Sequence, residues 1–271
     1  TKRVLTSLQA MADQQSDDHQ IFWDQFGKVS QEGPAAVFAN KANIPKLLRF
    51  ATPKTDQQKV SLDAYIKNMP EGQEAIYFIT ADSHQAAKNS PHLEIFKKKD
   101  IEVLLLSDRV DEWLVSSLYE YNGKKLQSIA KGDLDLGKLD DEEQKAEQQK
   151  IEKQAKGIIE RIKKTLGEKV KDVKVTHRLT DSPACLVVGE HDISGNLERI
   201  LKAAGQNTPE SKPILEINPN HELIKKLEKV DENQLFSDYA SVIFDQAILA
   251  EGGQLDDPIG YVNKVNKFIA K

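Results

Sequence analysis

Apolar residues first recur at helical spacing at Val4, Leu5, Leu8 and Met11, and then at Ile21, Phe22, Phe26 and Val29. Two helices are therefore expected over residues 2–32, ended by Gly33-Pro34, with Trp23 beside the second stripe as a core residue. From 44 to 120 the pattern alternates. Short helices are expected at 45–50 and 61–68, a strand at 75–79, a helix at 91–99, a strand at 103–106 and a helix at 111–119. The two strands are continuous apolar runs joined by a helix, which is the pattern of a buried parallel β-α-β unit with a right-handed crossover. Residues 124–130 add a short extended segment before Gly132, Asp133, Gly137 and a string of acids mark a boundary.

A long helix is expected over 140–166, polar in its first half and amphipathic through Ile151, Ala155, Ile158, Ile162 and Leu166. Strands follow near 171–178 and 184–188, with Asp181-Ser182-Pro183 turning between them. A helix at 194–204, an extended piece at 213–217, a helix near 221–229 and two final helices at 233–250 and 258–270 complete the chain. The fold class is thus mixed α+β and α/β. A helical segment (1–43) and a small αβα subdomain (44–132) precede a mixed α+β domain (133–271) entered by the linking helix 140–166. Only the Glu/Gln/Lys-rich stretch 141–153 is compositionally biased.

Composition narrows the function more than the fold. The 271 residues suit about two domains, and 39% hydrophobic with 30% charged residues implies cores under a heavily charged surface. A net charge of -5 lacks the basic footprint of a nucleic-acid binder, so nucleic acid is not an expected partner. No run of about 18 apolar residues and no apolar leader is present, so neither a membrane partner nor export is expected. Cys185 is the only cysteine; it fits a reducing compartment and is expected to be a small buried hydrophobe. The chain opens on Thr1 and runs straight into a helical pattern, from which a piece excised from a longer protein is expected.

Catalysis needs a convergent constellation, and no such pattern is legible. There is no GxxxxGK[ST] or GxGxxG, and Thr80-Ala81-Asp82-Ser83 after the first long strand lacks the glycines of a phosphate cradle. Histidines 19, 84, 92, 177, 191 and 221 are scattered without metal-ligand spacing, His84 and His92 being expected in surface turns. No elbow motif surrounds Ser182, and Cys185 runs into Leu186-Val187-Val188 as a buried strand would. Asp140-Asp141-Glu142-Glu143 suit the positive end of a helix dipole. No catalytic, cofactor-binding or metal residues are assigned.

Six segments then carry a resemblance: Ser90–Glu94, Ile101–Trp113, Lys131–Asp135, Arg178–Cys185, Ala203–Gln206 and Glu216–His221. Together, and in this order, they make the chain similar from end to end to the bacterial ninety-kilodalton heat-shock chaperones. The resemblance implies an ATP-driven cytoplasmic homodimer that binds partly folded client proteins. Residues 1–132 would be part of its middle domain and 133–271 its C-terminal dimerisation domain. ATP and magnesium would bind in an N-terminal domain that this chain lacks, so the chain itself is expected not to be an enzyme. Other chaperones are implied as partners through the middle domain.

The resemblance also points to two client-binding patches. Glu112 and Trp113 open helix 111–119, where the family presents an aromatic to client, and polar Ser116 lies one turn on, where some relatives carry a different polar residue. Ile193, Leu197, Ile200 and Leu201 share one face of a short helix. In the family that helix projects between protomers and is often methionine-rich. A dimer interface is expected on the last two helices, whose apolar residues occupy more than one face. The residues are Leu235, Phe236, Tyr239, Val242, Ile243, Ala247 and Leu249, with Ile259, Val262, Val265, Phe268 and Ile269; a two-fold four-helix bundle would bury them. Two competing readings remain, a passive dimeric scaffold and an α/β enzyme with a helical dimerisation tail.

Overall fold

A computed structural model describes residues 2–14, 16–36, 44–134, 136, 139, 142–208 and 211–270. It is a mixed α+β structure with two mixed sheets, and it divides into two compact units. The first unit comprises Thr1–Lys88 and Asp100–Ser128, the second Asn89–Lys99 and Ile129–Lys271.

In the first unit, helices α1 (Lys2–Gln14), α2 (Ser16–Ala36) and α3 (Ile44–Leu47) precede the hairpin of β1 (Phe50–Thr52) and β2 (Thr55–Val60). Next come α4 (Leu62–Lys67), β3 (Ala75–Thr80) and α5 (His84–Lys88). The chain passes through a 3-10 turn, Pro91–Leu93, and α6 (Glu94–Lys98), which group with the second unit. It returns as β4 (Leu104–Leu106), α7 (Asp111–Ser117), β5 (Glu120–Tyr121) and β6 (Lys124–Ser128). The six strands run in the order β2-β1-β4-β3-β6-β5. β3 is parallel to both β4 and β6, so the expected parallel pair lies at the centre, and antiparallel strands flank it.

Four expectations fail here. Residues 45–50 are not one helix: α3 ends at Leu47 and Phe50 begins β1, whose partner β2 (Thr-Asp-Gln-Gln-Lys-Val) is an edge strand too polar to show an apolar alternation. The helix expected at 91–99 is split, because Ser90 caps a 3-10 turn begun by Pro91 and α6 starts only at Glu94. The stripe on α2 is turned the other way. Ile21 and Phe26 are 64% and 55% exposed, whereas His19, Trp23, Gly27 and Gln31, at i, i+4 spacing, form the buried face. Two polar groups of that face find partners across the fold: Trp23 Nε1 donates to Gln58 Oε1 (2.9 Å) and Gln31 Nε2 to Asp111 Oδ1 (2.8 Å). Helix α2 also runs through Gly33-Pro34 to Ala36, and the side chain of Val29 lies outside the described residues.

The first core gathers Trp23, Leu48, Phe50, Leu62, Tyr65, Ile76, Phe78, Leu104, Leu106 and Leu114. The Tyr65 hydroxyl ties it together, donating to Glu102 O (2.6 Å) and accepting from Tyr77 N (3.1 Å).

The second unit adds α8 (Glu142–Gln154) and α9 (Lys156–Leu166), then β7 (Asp172–Val175) and β8 (Ala184–Val187). It continues with α10 (Gly195–Ala203), β9 (Ile214–Ile217), α11 (Glu222–Glu228), α12 (Asn233–Ala250) and α13 (Pro258–Ile269). The expected long helix is α8 and α9, which meet at Ala155 with i→i+4 bonds continuing on either side of it; positions 140 and 141 lie outside the described residues. β7 and β8 do not pair with each other. β9 inserts between them, parallel to β7 and antiparallel to β8. Ile158, Ile162 and Leu166 of α9, Leu215 and Ile217 of β9, and Phe236, Tyr239, Ile243 and Ala247 of α12 form the second core.

Candidate functional site

Helix α7 is seated by its first residue. Asp111 is buried, accepting from Asp108 N at one oxygen and from Gln31 Nε2 at the other, each at 2.8 Å. Burial pushes its carboxyl up to about 7; the Asp108 amide opposes this and the neighbouring Asp108 and Glu112 carboxylates add to it. Leu114 anchors the helix in the core. Trp113 points the other way and is 42% exposed. Ser116 is exposed, its hydroxyl donating to Trp113 O (2.8 Å), whereas Glu112 is buried at 4% exposure. Trp113 and Ser116 are therefore accessible in this chain, and Glu112 is not.

Helix α10 is capped by Ser194, whose hydroxyl accepts from Leu197 N (3.0 Å). Of its residues only Asn196 is buried. Ile193, Leu197, Ile200 and Leu201 are all half-buried, and none joins the core clusters of the described residues. A half-buried apolar stripe outside the cores is surface available to a ligand or partner.

The last two helices behave differently from each other. On α12, Phe236, Tyr239, Val242, Ile243, Phe244 and Ala247 are buried within the single chain. This corrects the expectation that its apolar girth exceeds what one chain can cover: α9, α11, α13 and β8 pack around it, and Leu249 alone of its proposed interface residues is exposed. Leu235 is half-buried against the same core. Helix α13 starts as expected, with Asp257 Oδ1 accepting from Gly260 N (2.8 Å) and Pro258 at the first turn. Phe268 stacks on Tyr239 with ring centres 4.1 Å apart, and Val265 is half-buried. The opposite face is open, with Ile259 75%, Val262 50% and Ile269 78% exposed.

The model of the family described as "Hsp90 protein" matches residues 1–271. The chain belongs to the Hsp90 family. It is 53% identical over 271 residues to the chaperone protein HtpG of Pseudoalteromonas translucida, covering 99% of this chain and 42% of that protein. It is 57% identical over 268 residues to the HtpG of Dechloromonas aromatica, covering 98% and 42%, and 54% identical over 276 residues to that of Cupriavidus taiwanensis, covering 100% and 44%. The Hsp90 chain thus spans about two-fifths of the length of the curated relatives it matches.

In this Hsp90 chain the groups that might suggest chemistry are committed to structure. Cys185 is fully buried, and burial pushes its thiol well above the ordinary range. The Ser182 hydroxyl donates to Glu94 Oε1 (2.5 Å). Among the described residues no group of three or more His, Cys, Asp or Glu is placed to hold a metal, and no helix is long and apolar enough to cross a membrane. Neither histidine sits in a surface turn: His84 is partly exposed beside Asp56 but begins α5, and His92 is fully buried, with Nε2 2.9 Å from Glu251 Oε1 at the end of α12.

Sequence reasoning missed two features of the second unit. Arg178 is buried, with Nε 2.7 Å from Glu216 Oε2, and its other nitrogens donate to Ile129 O and to Gly132 O (2.9 Å). Glu94 caps the turn 180–182 from 86 or more positions away. Neither has a local sequence signature, because the partners meet only in the folded unit.

Proposed function

We propose that this chain is the client-binding and dimerising part of a bacterial molecular chaperone, with residues 1–132 belonging to its middle domain and 133–271 forming its C-terminal domain. The observation that carries the reading is apolar surface left outside both cores: Trp113 on α7 and the stripe Ile193, Leu197, Ile200 and Leu201 around α10. A partly folded protein offers complementary apolar segments, and shallow half-buried contacts suit a ligand of varied sequence. The HtpG relatives, named as chaperones, support the same function. Trp113 and Ser116 contact client directly in this reading, and buried Glu112 supports them from beneath.

Homodimerisation is assigned to α12 and α13, through Leu249 and the open face of Ile259, Val262 and Ile269. Phe236, Tyr239, Val242, Ile243 and Ala247 back that interface from the core. In the cell the chain works in the cytoplasm within an ATP-driven protein; ATP and magnesium bind outside this chain, which performs no catalysis, and other chaperones dock through the middle domain.

The test is light scattering of an aggregation-prone protein during heating, with and without the chain. The chain should delay aggregation. Trp113→Ala, or Leu197→Glu with Leu201→Glu, should weaken the delay about fivefold or more at an unchanged melting temperature. Equal protection by the folded variants would refute the assignment of these patches.

A further inference from the structure

Residues 89–99 join α5 to β4, both in the first unit, yet they group with the second. Their strongest polar anchor there is Glu94. Its Oε2 accepts from three successive backbone N–H groups, Thr180 (2.6 Å), Asp181 (2.7 Å) and Ser182 (3.2 Å), while Oε1 accepts from the Ser182 hydroxyl (2.5 Å). Consecutive amides converging on one point form a concave anion receptor, and hydrogen bonds to an ionised acceptor are the strong ones. Burial, the largest single influence, pushes the Glu94 carboxyl up; the four donors outweigh it and leave the group below the usual carboxylate range.

The receptor is braced from its far side without Glu94. Ser182 O accepts from Asn218 Nδ2 (3.3 Å), Pro183 O accepts from Asn218 N (2.9 Å), and Ala184 enters β8 directly. Other polar contacts of segment 89–99 include Ile95 N to Arg178 O (3.1 Å), Lys99 Nζ to Leu139 O (2.8 Å) and His92 beside Glu251.

We propose that the Thr180–Ser182 turn is a preformed carboxylate-binding site and that Glu94 is its built-in ligand, the two forming a latch that keeps the crossover 89–99 grouped with the second unit. The turn binds a carboxylate because of its own backbone geometry, and the crossover stays docked because that carboxylate is tethered to it. Free carboxylate can fill the site without restoring the tether.

Hydrogen exchange by mass spectrometry on the intact chain separates the two roles. In Glu94→Ala, amides of 180–182 and of 89–99 should exchange at least about tenfold faster. Sodium acetate at roughly 100 mM should restore protection at 180–182 but not at 89–99, and sodium chloride at equal ionic strength should restore neither. Glu94→Gln keeps the shape and loses the charge, and should accelerate both segments less than Glu94→Ala does. Unchanged exchange at 89–99 in both variants would overturn the latch, and identical effects of acetate and chloride would overturn the receptor. If Glu94→Ala exposes Cys185 to thiol reagents, and so has unfolded the unit, Glu94→Gln decides: faster exchange confined to the two segments supports the latch, and no change overturns it.

Discussion

Replacing Arg178 by methionine would remove the central cation of the second unit while keeping much of its apolar bulk. Its partner Glu216 is only 4% exposed and would be left as a buried charge without its counterion. Breaking a buried pair from one side costs about 3–5 kcal/mol. The carbonyls of Ile129 and Gly132 also lose their donor, at about 1 kcal/mol each when water does not replace it. The total, about 5–7 kcal/mol, is comparable to the whole stability of a typical domain, about 5–15 kcal/mol. Arg178→Met is therefore expected to leave the second unit unfolded or nearly so at room temperature. Arg178→Met with Glu216→Leu removes both charges and leaves only the two carbonyls unsatisfied, so it should recover about 3–5 kcal/mol relative to the single variant. Urea titration followed by far-UV circular dichroism, with the reactivity of buried Cys185 reporting specifically on the second unit, measures all corners of the cycle. A loss under about 1 kcal/mol for the single variant, or a double variant no more stable than the single, would refute the view that this pair and its carbonyls hold the unit together.

In the first unit, Gly27→Ala should destabilise by about 1–2 kcal/mol despite alanine's better helix propensity, because its Cβ would lie 2.8 Å from the Trp23 ring pinned by Gln58; a fluorescence-detected thermal melt measures it. Asp111 titrates higher folded than unfolded, so the stability it contributes is fully present below about pH 4 and lost as pH rises through about 7. Wild type should thus lose stability relative to Asp111→Asn across that window, by at most about 4 kcal/mol, and parallel stability–pH curves would contradict the burial argument. Cys185 should resist thiol reagents in the folded chain and react at the unfolding rate, as followed by a chromogenic disulfide. Deleting residues 255–271 should give a monomer in sedimentation at micromolar concentration. Loss of the Phe268 stack on Tyr239 should also lower the melting temperature of the second unit, while the separately cored first unit keeps its transition.

Local periodicity was enough for the long helices α9, α12 and α13, for the apolar strands β3, β4 and β8, and for the capped start of α13, since each carries its pattern within a dozen residues. It failed where burial is decided across the fold. Strand β2 is polar because it lies at an edge, and the turn Asn122-Gly123, both with positive φ, makes a β5–β6 hairpin that the sequence signals only through that dipeptide. On α2 Ile21 and Phe26 of the hydrophobic stripe are exposed and a face containing Trp23 and Gln31 is buried, because side chains from β2 and α7 supply hydrogen-bond partners that no pattern along α2 can reveal. At the candidate site, the helices carrying Trp113 and the Leu197 stripe were legible from spacing and resemblance, but which of their residues face outward was not. Glu112 and Trp113 are neighbours in sequence and opposite in exposure. The apolar content of α12 suggested a second chain, yet its own unit covers most of it. Sequence records each residue's hydrophobicity and its neighbours along the chain. Which face is buried, and which distant carboxylate or guanidinium satisfies a turn, depends on partners brought together from 35 to 88 positions away, and only the tertiary structure decides that.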